Sequence, residues 1–75
     1  MTVRDSVIAA IRETFPGHTS DIDETTSAIQ VAGWDSFSHV QLMFLVEEKT
    51  EKPIDIAETF SLNNVGDLIA YVEKL

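Results

Sequence analysis

The chain contains no cysteine among its 75 residues. This absence excludes a disulfide framework, a cysteine nucleophile and a zinc site built from thiolates. Any thioester chemistry would therefore need a sulfur from an attached group. We expect one domain over residues 1–75, since a chain of this length buries only about 60% of the surface that it exposes when unfolded. Hydrophobic residues make up 44% of the chain, which is enough for a small core.

Basic residues are scarce. Five Lys and Arg residues stand against 13 Asp and Glu residues, which gives a net charge of −8. The basic residues are scattered, so the chain has no stripe that would bind a nucleic-acid backbone, and its charge disfavours anionic lipid. We expect partners with basic docking surfaces instead. The same charge would also keep a cofactor-free protein in solution.

Long hydrophobic runs are absent as well. No apolar run is longer than five residues, the length of the run from Leu42 to Val46, which is far short of the roughly 20 residues that a membrane-spanning helix needs. Arg4 and Asp5 interrupt the N-terminus, which is unlike the apolar centre of a signal peptide. We therefore expect a cytoplasmic, monomeric protein without a membrane span.

Apolar residues recur at helical spacing in three stretches. The pattern predicts helices over residues 2–15, 36–51 and 64–75. A further short helical turn is predicted over residues 57–61, and no stretch alternates long enough to predict a strand. The chain is thus predicted to be all-α, a small bundle of three main helices plus a short third helix, with a long first loop.

Each main helix begins at a polar residue that can accept a hydrogen bond from the first turn. Thr2 is predicted to cap the first helix and Asn64 the last. For the second helix, Asp35 and Ser36 are both suitable caps. The sequence leaves these two alternatives open.

Isolated apolar residues in the loops predict anchors to the core. In the first loop these anchors are Ile22, Ala28, Ile29 and Val31. The core between the second helix and the later segments is predicted to contain Phe44, Ile54, Phe60, Leu62 and Ile69, with Leu75 ending the apolar stripe of the last helix.

Asp35, Ser36 and His39 stand close together and resemble a nucleophilic triad. Ser36 and His39 are three residues apart on one predicted helix and could meet, but Asp35 does not easily reach the far nitrogen of His39. A small helical domain also offers no evident walls for a substrate pocket. We therefore exclude a hydrolase. For His39 we favour a solvated helix position over contact with a bound group, because nothing else in the sequence marks a histidine site.

The segment that begins at Asp21 opens like a calcium-binding loop, with acids at its first and third places. Such a loop then needs glycine at the sixth place and an acid at the twelfth. This chain has Thr26 and Ala32 at those places. We predict no metal site.

The segment "GWDSFSHVQLMFLVEE" resembles the signature of acyl carrier proteins, in which an Asp-Ser pair opens the second helix. The length, the acidity, the long first loop, the segment "KPIDIAETF" and the closing helix are similar as well, so the resemblance covers essentially the whole chain. It implies that Ser36 bears 4′-phosphopantetheine, taken from coenzyme A, and that Asp35 is its motif partner.

The same resemblance implies a carrier and not an enzyme. A phosphopantetheinyl transferase would supply the base and the magnesium for attachment, and the thiol of the arm would hold the cargo as a thioester. Acyl-loading and acyl-transferring enzymes with basic surfaces are the implied partners. Phe37, Glu47 and Glu48 are predicted to bind them.

The chain departs from the common pattern of the family near the serine. Ser38 and Gln41 occupy places where fatty-acid carriers usually have acids, and Trp34 and Phe37 replace smaller residues. These departures favour a specialised polyketide, peptide or modified-lipid pathway. A peptidyl or aminoacyl carrier, and a cofactor-free acidic module that binds other proteins, stay open as alternatives. Because aromatic residues are predicted to fill the core, we expect a small or polar cargo.

Overall fold

The computed structural model describes residues 2–75, which form four α-helices and one short 3₁₀ turn and contain no strand. The helices are α1 (Val3–Thr14), α2 (Ser36–Thr50), α3 (Ile56–Thr59) and α4 (Val65–Glu73), and the 3₁₀ turn is Ala28–Gln30. The predicted all-α bundle with a short third helix is thereby confirmed, with each main helix within two residues of its predicted ends.

The caps of α1 and α4 form as the sequence predicts. The Thr2 hydroxyl accepts a hydrogen bond from the Asp5 amide at 3.1 Å, and the Asp5 carboxylate accepts one from the Thr2 amide at 3.5 Å. At the start of α4, Asn64 Oδ1 accepts from the Asp67 amide at 2.8 Å. These bonds satisfy backbone donors that have no partner within the helix.

The core lies where α1 packs against α2 and α4. A set of aliphatic side chains from these three helices is 0% exposed: Val7, Ala10, Ile11, Leu42, Met43, Val46 and Val72. We call α1, α2 and α4 together the helical frame. Burial of this kind stabilises a domain by about 25 cal/mol per Å² of apolar surface removed from water.

Three aromatic or aliphatic residues predicted for the core or the last apolar stripe are exposed instead. Phe44 is 58% exposed, Phe60 52% and Leu75 42%. Phe44 follows Leu42 by two residues, which turns it away from the face that packs on α1. Phe60 follows a helix of a single turn, and Leu75 lies beyond the end of α4. Ile54 and Ile69 are buried as predicted.

The first loop is held to the core by fewer residues than predicted. Ile22 and Val31 are buried at 7% and 2% exposure. Ala28 and Ile29 are exposed, Ile29 to 94%, because both lie in the 3₁₀ turn, which stands away from the core. The prediction that they anchor the loop is wrong.

Backbone hydrogen bonds attach this loop to the start of α4. The Val65 amide donates to the Thr26 carbonyl at 2.8 Å, and the Gly66 amide donates to the Glu24 carbonyl at 2.9 Å. A Cβ atom at Gly66 would lie 3.0 Å from the Glu24 oxygen. The absence of a side chain therefore allows the loop and α4 to approach this closely.

Candidate functional site

Ser36 is the first residue of α2, and its side chain is exposed. Asp35 is the cap of α2: its Oδ1 accepts from the Ser38 amide at 2.9 Å, and Ser38 Oγ accepts from the Asp35 amide at 2.9 Å. The capping box is thus formed by Asp35 and Ser38, and the Ser36 side chain takes no part in it. Among residues 2–75, no protein group forms a hydrogen bond with Ser36 Oγ. Its hydroxyl is therefore available to an external enzyme.

The turn before α2 fixes this arrangement. Gly33 has a φ of +90°, a conformation that side-chain-bearing residues rarely adopt. Its carbonyl accepts a hydrogen bond from Ser38 Oγ at 2.7 Å. The Ser38 amide, and after it the Ser38 hydroxyl, hold the pKa of the Asp35 carboxyl below its usual range. Asp35 therefore stays ionised and keeps the helix start in place at neutral pH.

A half-open groove with a volume of about 270 Å³ begins beside Ser36. We call it the Ser36 groove. Its walls are mainly apolar and include Trp34, Phe60, Leu62 and Leu68. It lies between the turn before α2, the segment around α3 and the start of α4. Such a groove can receive the apolar part of a molecule attached at its rim.

Trp34 connects this groove to α1 and α2. Its ring stacks on Phe15 at the end of α1, with 5.3 Å between the ring centroids. Its indole Nε1 donates a hydrogen bond to Nδ1 of His39 at 3.1 Å. Trp34 is half-buried. The stacking on Phe15 and the hydrogen bond to His39 fix the position of its ring.

His39 bridges Trp34 to α3. Its Nε2 lies 2.7 Å from Thr59 Oγ1, and the Thr59 hydroxyl lies 2.6 Å from the Ile56 carbonyl. Since an indole nitrogen only donates, Nδ1 must accept, so Nε2 carries the proton and donates to Thr59. Partial burial lowers the pKa of the His39 imidazole, which favours this neutral form. The interpretation of His39 as a solvated helix residue is wrong.

This bridge also bears on the triad that the sequence suggested. Both ring nitrogens of His39 are engaged by Trp34 and Thr59, away from Ser36. Asp35 is engaged by Ser38. The three residues stand close in the chain, but the structure gives Ser36 no base in contact with it.

The relatives to which this chain is similar include three that are named acyl carrier protein. The chain is 30% identical to that of Chlamydia caviae over 73 residues, which are 97% of this chain and 95% of the relative. It is 30% identical to that of Chlamydia muridarum over 74 residues, 99% of this chain and 96% of the relative. For Chlamydia felis the identity is 29% over 73 residues, 97% of this chain and 94% of the relative.

The chain belongs to the acyl carrier protein family. No family model and no solved structure matches it. In the part of this carrier that the structure describes, residues 2–75, no cluster of His, Asp and Glu side chains could hold a metal ion. Over the same residues, every helix is too short or too polar to cross a bilayer.

The outward face of α2 in this carrier is aromatic and uncharged near Ser36. Phe37 is 62% exposed and Phe44 58%, and Gln41 between them is exposed as well. Glu48 continues this face as its one acidic member. Glu47, which is predicted to bind partners, is half-buried, and its Oε2 accepts from the Ile54 amide at 2.8 Å.

Sequence reasoning selected Asp35 and Ser36 but missed Thr59. Thr59 is 2% exposed and carries the hydrogen bond that joins α3 to α2. One signal was present: a threonine is the only polar residue of the α3 turn that is not acidic. That signal does not identify its partner, because Thr59 and His39 are 20 residues apart in the chain.

Proposed function

We propose that this carrier bears 4′-phosphopantetheine on Ser36 and presents thioester-bound intermediates to the enzymes of a specialised pathway. The observation that carries the proposal is the state of the Ser36 hydroxyl. It is exposed, it is not used by the capping box, and it stands at the rim of an apolar groove. The family membership supplies the class of function.

Attachment needs a phosphopantetheinyl transferase, because no base of this chain contacts Ser36. The serine oxygen forms a new bond to phosphorus, the phosphoanhydride bond of coenzyme A breaks, and the adenosine bisphosphate leaves. The serine proton passes to a base on the transferase. The terminal thiol of the arm then holds the cargo as a thioester.

The residues around Ser36 suit the product of this reaction. The phosphodiester would lie at the N-terminal end of α2, where the helix dipole favours negative charge. Asp35 holds that end in place through Ser38, and we propose that its carboxylate also assists the metal ion of the transferase. The mainly apolar Ser36 groove offers a surface to the arm or its cargo.

Docking is proposed to use the outward face of α2. Phe37 and Phe44 are seven residues apart, so their backbones are separated by about 10.5 Å along the helix. A partner that fits this face has two apolar pockets at that separation, with basic residues toward Glu48. Since Gln41 replaces an acid of the common pattern, this docking depends more on apolar contact than on charge. Glu47 stays a predicted partner contact, but its side chain is less exposed than that of Glu48.

Because the start of α2 lacks the acids of the common family pattern, we propose that the carrier serves a specialised pathway in polyketide, peptide or modified-lipid synthesis. A peptidyl or aminoacyl cargo is the nearest alternative, and it would use the same arm on Ser36. We propose that the protein acts as a carrier without catalytic activity of its own. A cytoplasmic location and a monomeric state stay predictions.

The attachment is tested by incubating the protein with coenzyme A and a broad-specificity phosphopantetheinyl transferase and then measuring the intact mass. We expect a gain of one phosphopantetheine in the wild type and in Ser20→Ala, which removes another exposed serine. Ser36→Ala should gain nothing. A folded wild type that gains no mass, while a control carrier is modified, would support the cofactor-free interaction module instead.

Docking is tested with the same transferase reaction under steady-state conditions. Replacing a central aromatic residue of an interface commonly costs about 2 kcal/mol or more of binding. We expect Phe37→Ala to reduce kcat/KM by at least about tenfold, and Gln41→Ala, on the same face, to have a much smaller effect. Equal effects of the two variants would contradict docking through the Phe37 side chain. A strong loss of activity with salt would show that charge and not apolar contact dominates docking.

A further inference from the structure

We infer that His39, held between Trp34 and Thr59, closes the inner end of the Ser36 groove and limits how far a tethered cargo enters the carrier. We call the three residues the Trp34–His39–Thr59 latch. The inference rests on the proposed attachment at Ser36. A small cargo is predicted from the sequence because aromatic residues are expected to fill the core. Phe44 and Phe60 are exposed instead, and the latch gives this prediction a different physical basis.

His39 borders the Ser36 groove on one side and the buried face of α2 on the other. His39 and Thr59 line the groove, whereas the aliphatic residues further along α2 do not. Met43 is four residues after His39, on the same face of α2, and is 0% exposed. His39 therefore stands between the groove and Met43. An apolar chain that extends along this face of α2 toward Met43 must displace the imidazole ring.

Hydrogen bonds hold α3 near both of its ends. Before α3, the Ile54 amide donates to Glu47 and the Asp55 amide donates to the Tyr71 hydroxyl at 3.0 Å. At the other end, Thr59 is the single buried residue of the helix and contacts His39 at 2.7 Å. Breaking the latch therefore releases the Thr59 end of α3, while its beginning stays attached.

The protonation state of the His39 imidazole determines whether it can accept the hydrogen bond from Trp34. The Trp34 indole can only donate, so the latch is complete only while His39 is neutral. The charged groups on the surrounding elements are Asp35 before α2 and Asp55 and Glu58 at α3. None of them contributes to the lowered pKa of His39, which comes from burial. Protonation of His39 would set its Nδ1–H against the indole N–H of Trp34, and this contact between two donors would push the imidazole out of the latch.

The latch is tested first without any cofactor, by amide hydrogen exchange followed by NMR. Thr59→Val removes the hydroxyl and keeps the shape, and Thr59→Ser keeps the hydroxyl. In Thr59→Val, we expect exchange at the end of α3, reported by the Leu62 amide, to accelerate at least about fivefold, as for the loss of one ordinary hydrogen bond. Thr59→Ser should restore the wild-type rate.

The pH profile of the same exchange separates a latch from simple packing. In the wild type, the rate at the Leu62 amide, corrected for intrinsic exchange, should rise as the pH falls through the pKa of His39. Trp34→Phe keeps an aromatic ring beside Phe15 but removes the donor that orients the imidazole, so its exchange should be faster than wild type at neutral pH and should depend less on pH. Unchanged exchange in Thr59→Val and Trp34→Phe would overturn the latch.

The limit on the cargo is tested on carrier loaded with butyryl or dodecanoyl thioester, by measuring cleavage with hydroxylamine. We expect His39→Ala to slow cleavage of the dodecanoyl form several-fold relative to wild type and to leave the butyryl form unchanged. Gln41→Ala, exposed on the outer face of α2, is the matched control and should behave as wild type.

Equal cleavage rates for wild type and His39→Ala with both cargoes would overturn the limit on the cargo. If the wild-type chain gains no phosphopantetheine, the proposed function fails. In that case the exchange experiments on the unmodified chain still decide whether the latch holds α3.

Discussion

The two sides of α2 are held by different forces. Toward α1, Leu42, Met43 and Val46 are 0% exposed and pack against aliphatic side chains. Toward α3, contact depends on the hydrogen bond of His39 with Thr59 at 2.7 Å and on the contact between the rings of His39 and Phe60, whose centroids are 4.4 Å apart. Apolar packing is non-directional and is lost only when the helices separate. A hydrogen bond can be broken locally, by a change of protonation or by a competing ligand.

This difference assigns distinct tasks to the two sides. The helical frame supplies most of the stability that a small domain can have. The α3 side, next to Ser36, is the part that can change shape at low cost in free energy. The hydrogen-bonded side of α2 borders the groove beside Ser36, where the cargo would be attached.

The largest expected effect concerns the frame. Leu42→Ala should reduce the free energy of unfolding by about 2–5 kcal/mol, because it leaves a cavity between α1 and α2. Phe60→Ala, on the exposed α3 side, should cost less than half as much. Urea denaturation of the two variants measures both values. Similar losses in the two variants would remove the distinction between the sides.

The next effect concerns the cap of α4, which belongs to the frame but faces the Ser36 groove. Asn64→Ala removes the acceptor of the Asp67 amide and should cost about 1 kcal/mol. Asn64→Ser keeps an acceptor at the same place and should recover most of this loss. Failure of the serine variant to recover stability would mean that Asn64 acts through other contacts.

A smaller effect is expected from pH. Burial lowers the pKa of His39 in the folded state below the unfolded value of about 6.5. The unfolded state therefore binds more protons as the pH falls, so the stability is fully present above about pH 6.5 and declines as the pH falls toward the folded pKa. His39→Gln lacks this titration.

The measurement is the difference in urea midpoint between wild type and His39→Gln at about pH 7.5 and about pH 5.5. The wild type should lose more stability than the variant over this interval. The carboxyl of Asp35 does not interfere, because its pKa is lowered and it titrates at more acidic pH. Parallel losses in both proteins would show that His39 does not titrate in this way.

The smallest effect is expected at the docking face. Phe44→Ala should change the free energy of unfolding by no more than about 0.5 kcal/mol, since its side chain is largely exposed in the folded state. Thermal unfolding measures this directly. A loss as large as that of Leu42→Ala would show that Phe44 packs in the core, as its apolar character first predicted.

The sequence predicts well whatever depends on near neighbours in the chain. Helices, the caps Thr2 and Asn64 and the Asp-Ser pair are all local patterns. It fails where the partner is distant: the bond between His39 and Thr59 spans 20 residues and has no local sign. It also fails for Phe44, because α2 is apolar around most of its circumference. Periodicity does not then identify the buried face.

The most direct test loads the wild-type chain with a butyryl-phosphopantetheine arm and compares its NMR spectrum with that of the unmodified chain. We predict that Ser36 is modified and that the largest shifts occur at the groove, in Trp34, Phe60 and Leu62. Methyl signals of the frame, such as those of Met43, should stay nearly unchanged. A chain that is not modified, or one whose largest shifts lie within the frame, would contradict this account.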